Sequence, residues 1–96
     1  MSPRRSKLEI RLTILSAIKD GVDKPTRIMY AANLSWKPTQ GILTQLIDQE
    51  LVNEVIDEGS SKSRRRYEVT EKGRAVLKYF DEAKRLLPIE EVYSQG

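Results

Sequence analysis

The chain has 96 residues, 39% hydrophobic and 32% charged, with a net charge of +3 at neutral pH. That length predicts one domain with a small core, and Leu, Ile, Val and Phe, 25 of the 96, lift it above the level that marks disorder. The lack of cysteine and histidine excludes disulfides, thiolate or imidazole metal sites, Cys nucleophiles and His general bases.

There is no Gly-rich phosphate loop, so we expect neither an enzyme nor a cofactor, and no metal or small-molecule ligand. No apolar run approaches the ~18–20 residues that span a bilayer. The opening "MSPRRSKLEI" lacks the apolar stretch of a signal peptide, so a cytoplasmic protein with no membrane partner is expected.

In chain order, "SKLEIRLTILSAIKD" (6–20) sets Leu8, Leu12, Leu15 and Ile18 at helical spacing, with Ile14 widening the stripe and Gly21 ending it. "DKPTRIMYAAN" follows. Pro25 suits a helix start and Asn33 a stop, which predicts about two turns burying Ile28, Met29 and Ala32. Ser35 is a good N-cap for a third helix, and Pro38 at its third residue breaks no intrahelical bond. Leu43, Leu46 and Ile47 supply that helix with a buried stripe. Two short helices joined by a turn of three or four residues, with Leu34 in the corner, form a helix-turn-helix.

"LVNEVID" (51–57) and "RRYEVT" (65–70) alternate imperfectly, and the polar "EGSSKS" lies between them, which predicts a β-hairpin with a long cationic tip. From Glu71 a helix of about 17 residues runs to a stop at Pro88. Its Val76, Phe80, Ala83 and Leu87 repeat at 4-3-4 spacing, Tyr79 and Leu86 widen that seam, and Leu77 and Ala75 are expected to face the chain's own core. The predicted fold is mainly α with a small hairpin: a winged helix-turn-helix over 1–70, a dimerisation helix over 71–87 and a tail over 88–96.

Charge is unevenly spread. Arg4, Arg5, Lys7 and Arg11 open the chain, residues 24–47 hold Lys24, Arg27 and Lys37 with no acid, and "KSRRR" (62–66) is four cations in five positions. This pattern predicts a cationic face.

"RIMYAANLS" (27–35) and "YEVTEKG" (67–73) make the chain, over about residues 8–87, resemble an archaeal winged-helix family of small DNA-binding and chromatin-type proteins. The resemblance implies a DNA-binding homodimer, nucleoid-associated, joined by an antiparallel coiled coil of the C-terminal helices. It assigns DNA contact to the helix beginning at Ser35 and to the wing around 60–66, with Trp36 and Lys37 matching the family's aromatic and basic positions. The chain departs from the family at Pro38, Thr39, Gln40 and Gly41, where an apolar residue and lysines would continue.

The residues give the same surface in more detail. Lys37 suits guanine or phosphate and Gln40 suits adenine, the alternative being an ordinary polar helix face. Thr39 and Thr44 either reach the nucleic acid or sit at the packing boundary. Trp36 either lies along a phosphate strand or caps the core, and Tyr30 packs its ring with its hydroxyl towards phosphate, beside Arg27. Gly41 is expected to pack against the second helix. Lys62, Arg64, Arg65 and Arg66 suit phosphates or a narrow minor groove, although one or two of them pair instead with Glu54 or Asp57. Arg4 and Arg5 form either a DNA-following arm or a solvated terminus. The expected partners are double-stranded DNA and a second copy of the chain. The expected role is transcription regulation, the alternatives being low-specificity DNA architecture and, less favoured, protein interaction.

Overall fold

In the computed structural model, which describes residues 6–57 and 64–87, helix α1 (Lys7–Lys19) starts at a capping box. The Glu9 amide donates to Ser6 Oγ at 3.0 Å and the Ser6 amide to Glu9 Oε1 at 3.1 Å, so two of the amides orphaned at a helix start are satisfied. Two more helices follow, α2 (Pro25–Ala32) and α3 (Trp36–Asp48).

All three helices end alike. Past each last turn one residue adopts a left-handed backbone: Gly21 at φ 104, Asn33 at φ 56 and Glu50 at φ 63. Its amide and the next one fold back onto the final carbonyls. Gly21 and Val22 donate to Ile18 and Ala17, Asn33 and Leu34 to Tyr30 and Met29, and Glu50 and Leu51 to Ile47 and Leu46, all at 2.9–3.2 Å. This is the Schellman arrangement, in which the residue after the left-handed one is apolar and turns inward. Val22 and Leu34 pack against the core and Leu51 is buried. Leu34 thus fills the α2–α3 corner, and the helix-turn-helix expected from the sequence is present.

Strands β1 (Val52–Asp57) and β2 (Arg64–Val69) pair antiparallel from Val52 opposite Val69 to Asp57 opposite Arg64. Each strand lies within a residue of its expected bounds. Alternation puts Val52, Tyr67 and Val69 on the face that meets the helices and Asn53, Val55 and Glu68 on the other. One further backbone bond, from the Tyr67 amide to the Asp23 carbonyl at 3.0 Å, ties β2 to the α1–α2 loop. The expected hairpin tip lies outside the described residues.

Helix α4 (Glu71–Leu86) begins at Thr70, whose Oγ1 accepts from the Gly73 amide at 3.0 Å and donates to the Glu50 carbonyl at 2.7 Å. Leu87, which precedes Pro88, is extended at φ −119 and ψ 132, the conformation a following proline favours. The core gathers Ile14, Leu15 and Ile18 from α1, Ile28 and Ala32 from α2, Leu43 and Leu46 from α3, and Val52 and Tyr67 from the hairpin. Each large apolar side chain buried there contributes on the order of 1.5–3 kcal/mol. Met29 is only half-buried.

Two expectations for α4 are corrected. Ala75 is exposed, and Val76 packs partly into the chain's own core beside Leu77. Both follow from the buried position of Gly73, since 76 and 77, three and four residues on, share its face of the helix and 75 does not. The expected tail, 88–96, lies outside the described residues.

Candidate nucleic-acid interface

The face of α3 turned away from the molecule is fixed by the face it buries. Thr39, Leu43 and Leu46 point inward. At 3.6 residues per turn, Lys37, Gly41, Thr44, Gln45 and Asp48 then lie opposite them, and all five are exposed. Gln40 is exposed too, but on the flank shared with Trp36. The helix carries no acid in its first turn.

Several sequence expectations change here. Thr39 is fully buried, and its hydroxyl donates to the Ser35 carbonyl at 2.9 Å. Its polarity is spent inside its own helix and its methyl group packs, so it is a core residue and not a contact for nucleic acid. Gly41 does not pack against α2: a Cβ there would meet nothing within 4 Å. Thr44 is exposed, with its hydroxyl donating to the Gln40 carbonyl at 3.0 Å. Trp36 is 38% exposed and Tyr30 72% exposed, so neither is a core aromatic. Arg27 is exposed on α2, one turn before Tyr30.

In the hairpin, register decides what the arginines do. Arg65 Nε lies 3.3 Å from Glu54 Oε2. Arg66 reaches Asp57 Oδ2 with Nε at 3.1 Å and Glu68 Oε2 with Nη1 at 2.8 Å. Hydrogen bonds to Glu68 and then Asp57 hold the Arg66 guanidinium above its ordinary pKa. Arg64 lies opposite Asp57 in β2. The expected pairing with Glu54 and Asp57 is therefore present, and it engages two of the wing's cations, Arg65 and Arg66. Lys62, Arg4 and Arg5 lie outside the described residues.

Two features were not singled out from the sequence. Arg11 Nη2 donates to Gln45 Oε1 at 2.8 Å, joining α1 to the outward face of α3. Beside that bond is a cleft of about 250 Å³ that includes Lys7, Pro38 and Gly41. Spacing alone could have found Gln45, four residues after Gly41, but not its partner 34 residues away.

On the far side, α4 exposes Tyr79 at 70% and Leu86 at 82%, with Leu87 also exposed. The Tyr79 and Phe80 rings meet edge to face with centroids 5.7 Å apart. Phe80 and Ala83 are half-buried. Between α1 and α4 runs an open groove of about 1260 Å³ that includes Leu8, Leu12, Leu77 and Phe80. No helix among the described residues is long and apolar enough to cross a membrane.

A family profile described as winged helix-turn-helix matches residues 4–87. The chain belongs to the winged helix-turn-helix family. The uncharacterized protein MJ0290 of Methanocaldococcus jannaschii is 36% identical over 86 residues, which cover 90% of this chain and 37% of that protein. This winged helix thus spans little more than a third of that relative's length. Among solved structures, Sso10a-2, a DNA-binding protein from Sulfolobus solfataricus, is similar at TM-score 0.69 and 28% identity, covering 95% of this chain and 88% of that one. A PadR family transcription regulator from Clostridium difficile is similar at TM-score 0.74 and 19% identity, covering 90% and 95%. In a winged helix-turn-helix, α2 and α3 are the helix-turn-helix pair and β1–β2 the wing.

Proposed function

We propose that the protein is a homodimeric, cytoplasmic regulator of transcription that binds double-stranded DNA, with α3 in the major groove and the wing against phosphate or the minor groove. One observation carries this reading. The outward face of α3 from Lys37 to Gln45 sits in a stretch, 24–47, that holds three cations and no acid, with Asp48 only at its C-terminal end, and it projects Lys37, Thr44 and Gln45 opposite a fully buried stripe. Lys37 donates to guanine or phosphate, and the exposed amides of Gln40 and Gln45 supply base-edge hydrogen bonds. Arg27 and Tyr30 on α2 and Trp36 at the start of α3 flank this face, where phosphate strands run beside an inserted helix. Sso10a-2, described as DNA-binding, supports the reading.

Dimerisation follows from α4. Tyr79, Leu86 and Leu87 are exposed beside Phe80 and Ala83, more apolar surface than a monomer of this size usually leaves in water. Pairing of α4 with α4 of a second copy covers it and sets two α3 helices to read half-sites about one turn of DNA apart.

A low-specificity architectural role is the second reading; the exposed cations Arg27 and Lys37 would serve it, and the ion pairs that hold Arg65 and Arg66 within the wing weaken it by withholding two cations from phosphate. Binding-site selection from random duplexes at roughly 150 mM salt separates the two. A palindromic motif supports the regulator, and binding without a motif supports the architectural role. A protein that retains no duplex even at low salt binds something other than DNA.

A further inference from the structure

The bond between Arg11 and Gln45 limits what Gln45 can recognise. A glutamine amide offers an acceptor at one end and two N–H donors at the other, whereas a guanidinium offers donors only. The end of Gln45 facing Arg11 Nη2 at 2.8 Å must therefore be its oxygen, and the bond is charge-assisted. The bond turns Oε1 towards α1, so the Nε2 donors face away from Arg11, and one Oε1 lone pair remains beside the guanidinium. Gly41, one turn earlier, has no side chain, and a Cβ there would meet nothing within 4 Å among the described residues, so that position does not screen Gln45.

We propose that Arg11 is a positioning residue that turns the amide of Gln45 donor-first towards the major groove, favouring guanine over cytosine at one base pair of each half-site. This rests on α3 being the helix that faces DNA. Guanine presents two acceptors in the major groove, N7 and O6, whereas cytosine presents only its N4 donor. An unrestrained glutamine prefers adenine, because it uses its oxygen on N6 and its nitrogen on N7. By holding the oxygen towards α1, Arg11 disfavours the first of those bonds. The guanidinium has further donors, and no carboxylate among the described residues forms an ion pair with it. It therefore stays available to Gln45 and to a phosphate at the groove edge.

The test is binding-site selection on wild type, Arg11→Ala, Arg11→Lys and Gln45→Ala, with affinity for a random duplex measured alongside. Wild type should show guanine at one position per half-site, about tenfold over cytosine. Gln45→Ala should lose that preference at that position alone. Arg11→Ala should move it from guanine towards adenine while the other positions hold, and Arg11→Lys, which keeps a donor, should preserve guanine. If Arg11→Ala selects the wild-type base, or weakens all sequences equally, Arg11 is a phosphate contact and the proposal is overturned. A preference that survives in Gln45→Ala overturns it too. Wild type binding random duplexes with no base preference also overturns it, while leaving DNA binding intact. Wild type failing to bind duplex at all removes the DNA reading itself.

Discussion

The backbone of Gly73 lies against the carbonyl of Leu51, so close that a Cβ at residue 73 would overlap that oxygen and stand 2.7 Å from Val69 Cγ1. The partner is backbone at the junction of α3 and β1, which cannot step aside as a flexible side chain would. Gly73→Ala should therefore destabilise the fold by about 1–3 kcal/mol, the usual range for overpacking. Urea unfolding should show a lower midpoint with an unchanged slope, and an unchanged midpoint would mean that α4 re-seats freely.

Glu50 points the other way. It holds φ 63 with a side chain present, a conformation that disfavours every residue with a Cβ and suits glycine. Its structural role is carried by backbone alone, the amide on Ile47 and the carbonyl accepting from Thr70. Glu50→Gly should stabilise by about 0.5–1 kcal/mol, read as a raised urea midpoint. A loss of stability would show that the Glu50 side chain makes a favourable interaction outweighing the backbone strain.

Tyr67 predicts a pH dependence. Burial, and then the charge of Glu54, to which its hydroxyl donates at 3.3 Å, push the phenol above its ordinary value of 10.0, while Arg65 pulls the other way. The folded state thus keeps the proton to higher pH than the unfolded chain does. Through that window the unfolded state is the more deprotonated, so stability falls as pH rises. Wild type should lose stability relative to Tyr67→Phe above about pH 10 and show no such relative trend between about pH 7 and 9. Parallel curves through both ranges would falsify the assignment.

Arg64, Arg65 and Arg66 should carry part of the salt-dependent affinity. Each phosphate neutralised on duplex DNA changes the log–log salt slope by about 0.9, so replacing all three with Ala should flatten it by about 2 to 3 if all three meet phosphate, Arg65 and Arg66 exchanging their carboxylates for it. A change near zero in titrations from ~50 to ~200 mM salt would mean that Arg65 and Arg66 stay on Glu54, Asp57 and Glu68 when DNA is bound.

Phe80→Glu should place a charge in the α4 surface proposed to pair. Sedimentation should fall from twice the 11.0 kDa chain mass to the chain mass itself, with most of the DNA affinity lost. A wild-type monomer at tens of micromolar, or a variant that stays dimeric, would place the interface elsewhere.

Element order and boundaries were legible because they depend on local chemistry. Gly21 and Asn33 sit at left-handed positions that their residue types favour, and Pro25 opens α2. Glu50, at the same kind of position, gives no such sign. Thr39 shows the limit at the site. Its residue type reads as polar, and only a back-bond to Ser35 lets it enter the core. Which arginines of the wing are paired depends on cross-strand register, and which of 75, 76 and 77 turn inward depends on how close α4 comes to Leu51. Neither is written in a local window. The partnership of Arg11 with Gln45 is likewise a product of helix packing.

The polar corner where α3 meets α4 sets the mechanics of any pair of these chains. Thr70 bonds the Glu50 carbonyl with its hydroxyl and the Leu51 carbonyl with its amide, at 2.7 and 3.1 Å, and Lys72 Nζ bonds the Gln49 carbonyl at 3.0 Å. The last turn of α3 and the first of α4 are thereby clamped together with no slack linker between them. Two copies joined through α4 would hold their α3 helices as the tines of a fork hold their spacing. Any tilt between the two α4 helices would swing the tines apart or together. The half-site distance such a pair accepts would then be written in the packing of Tyr79, Phe80 and Leu86, away from the face of α3 proposed to read DNA.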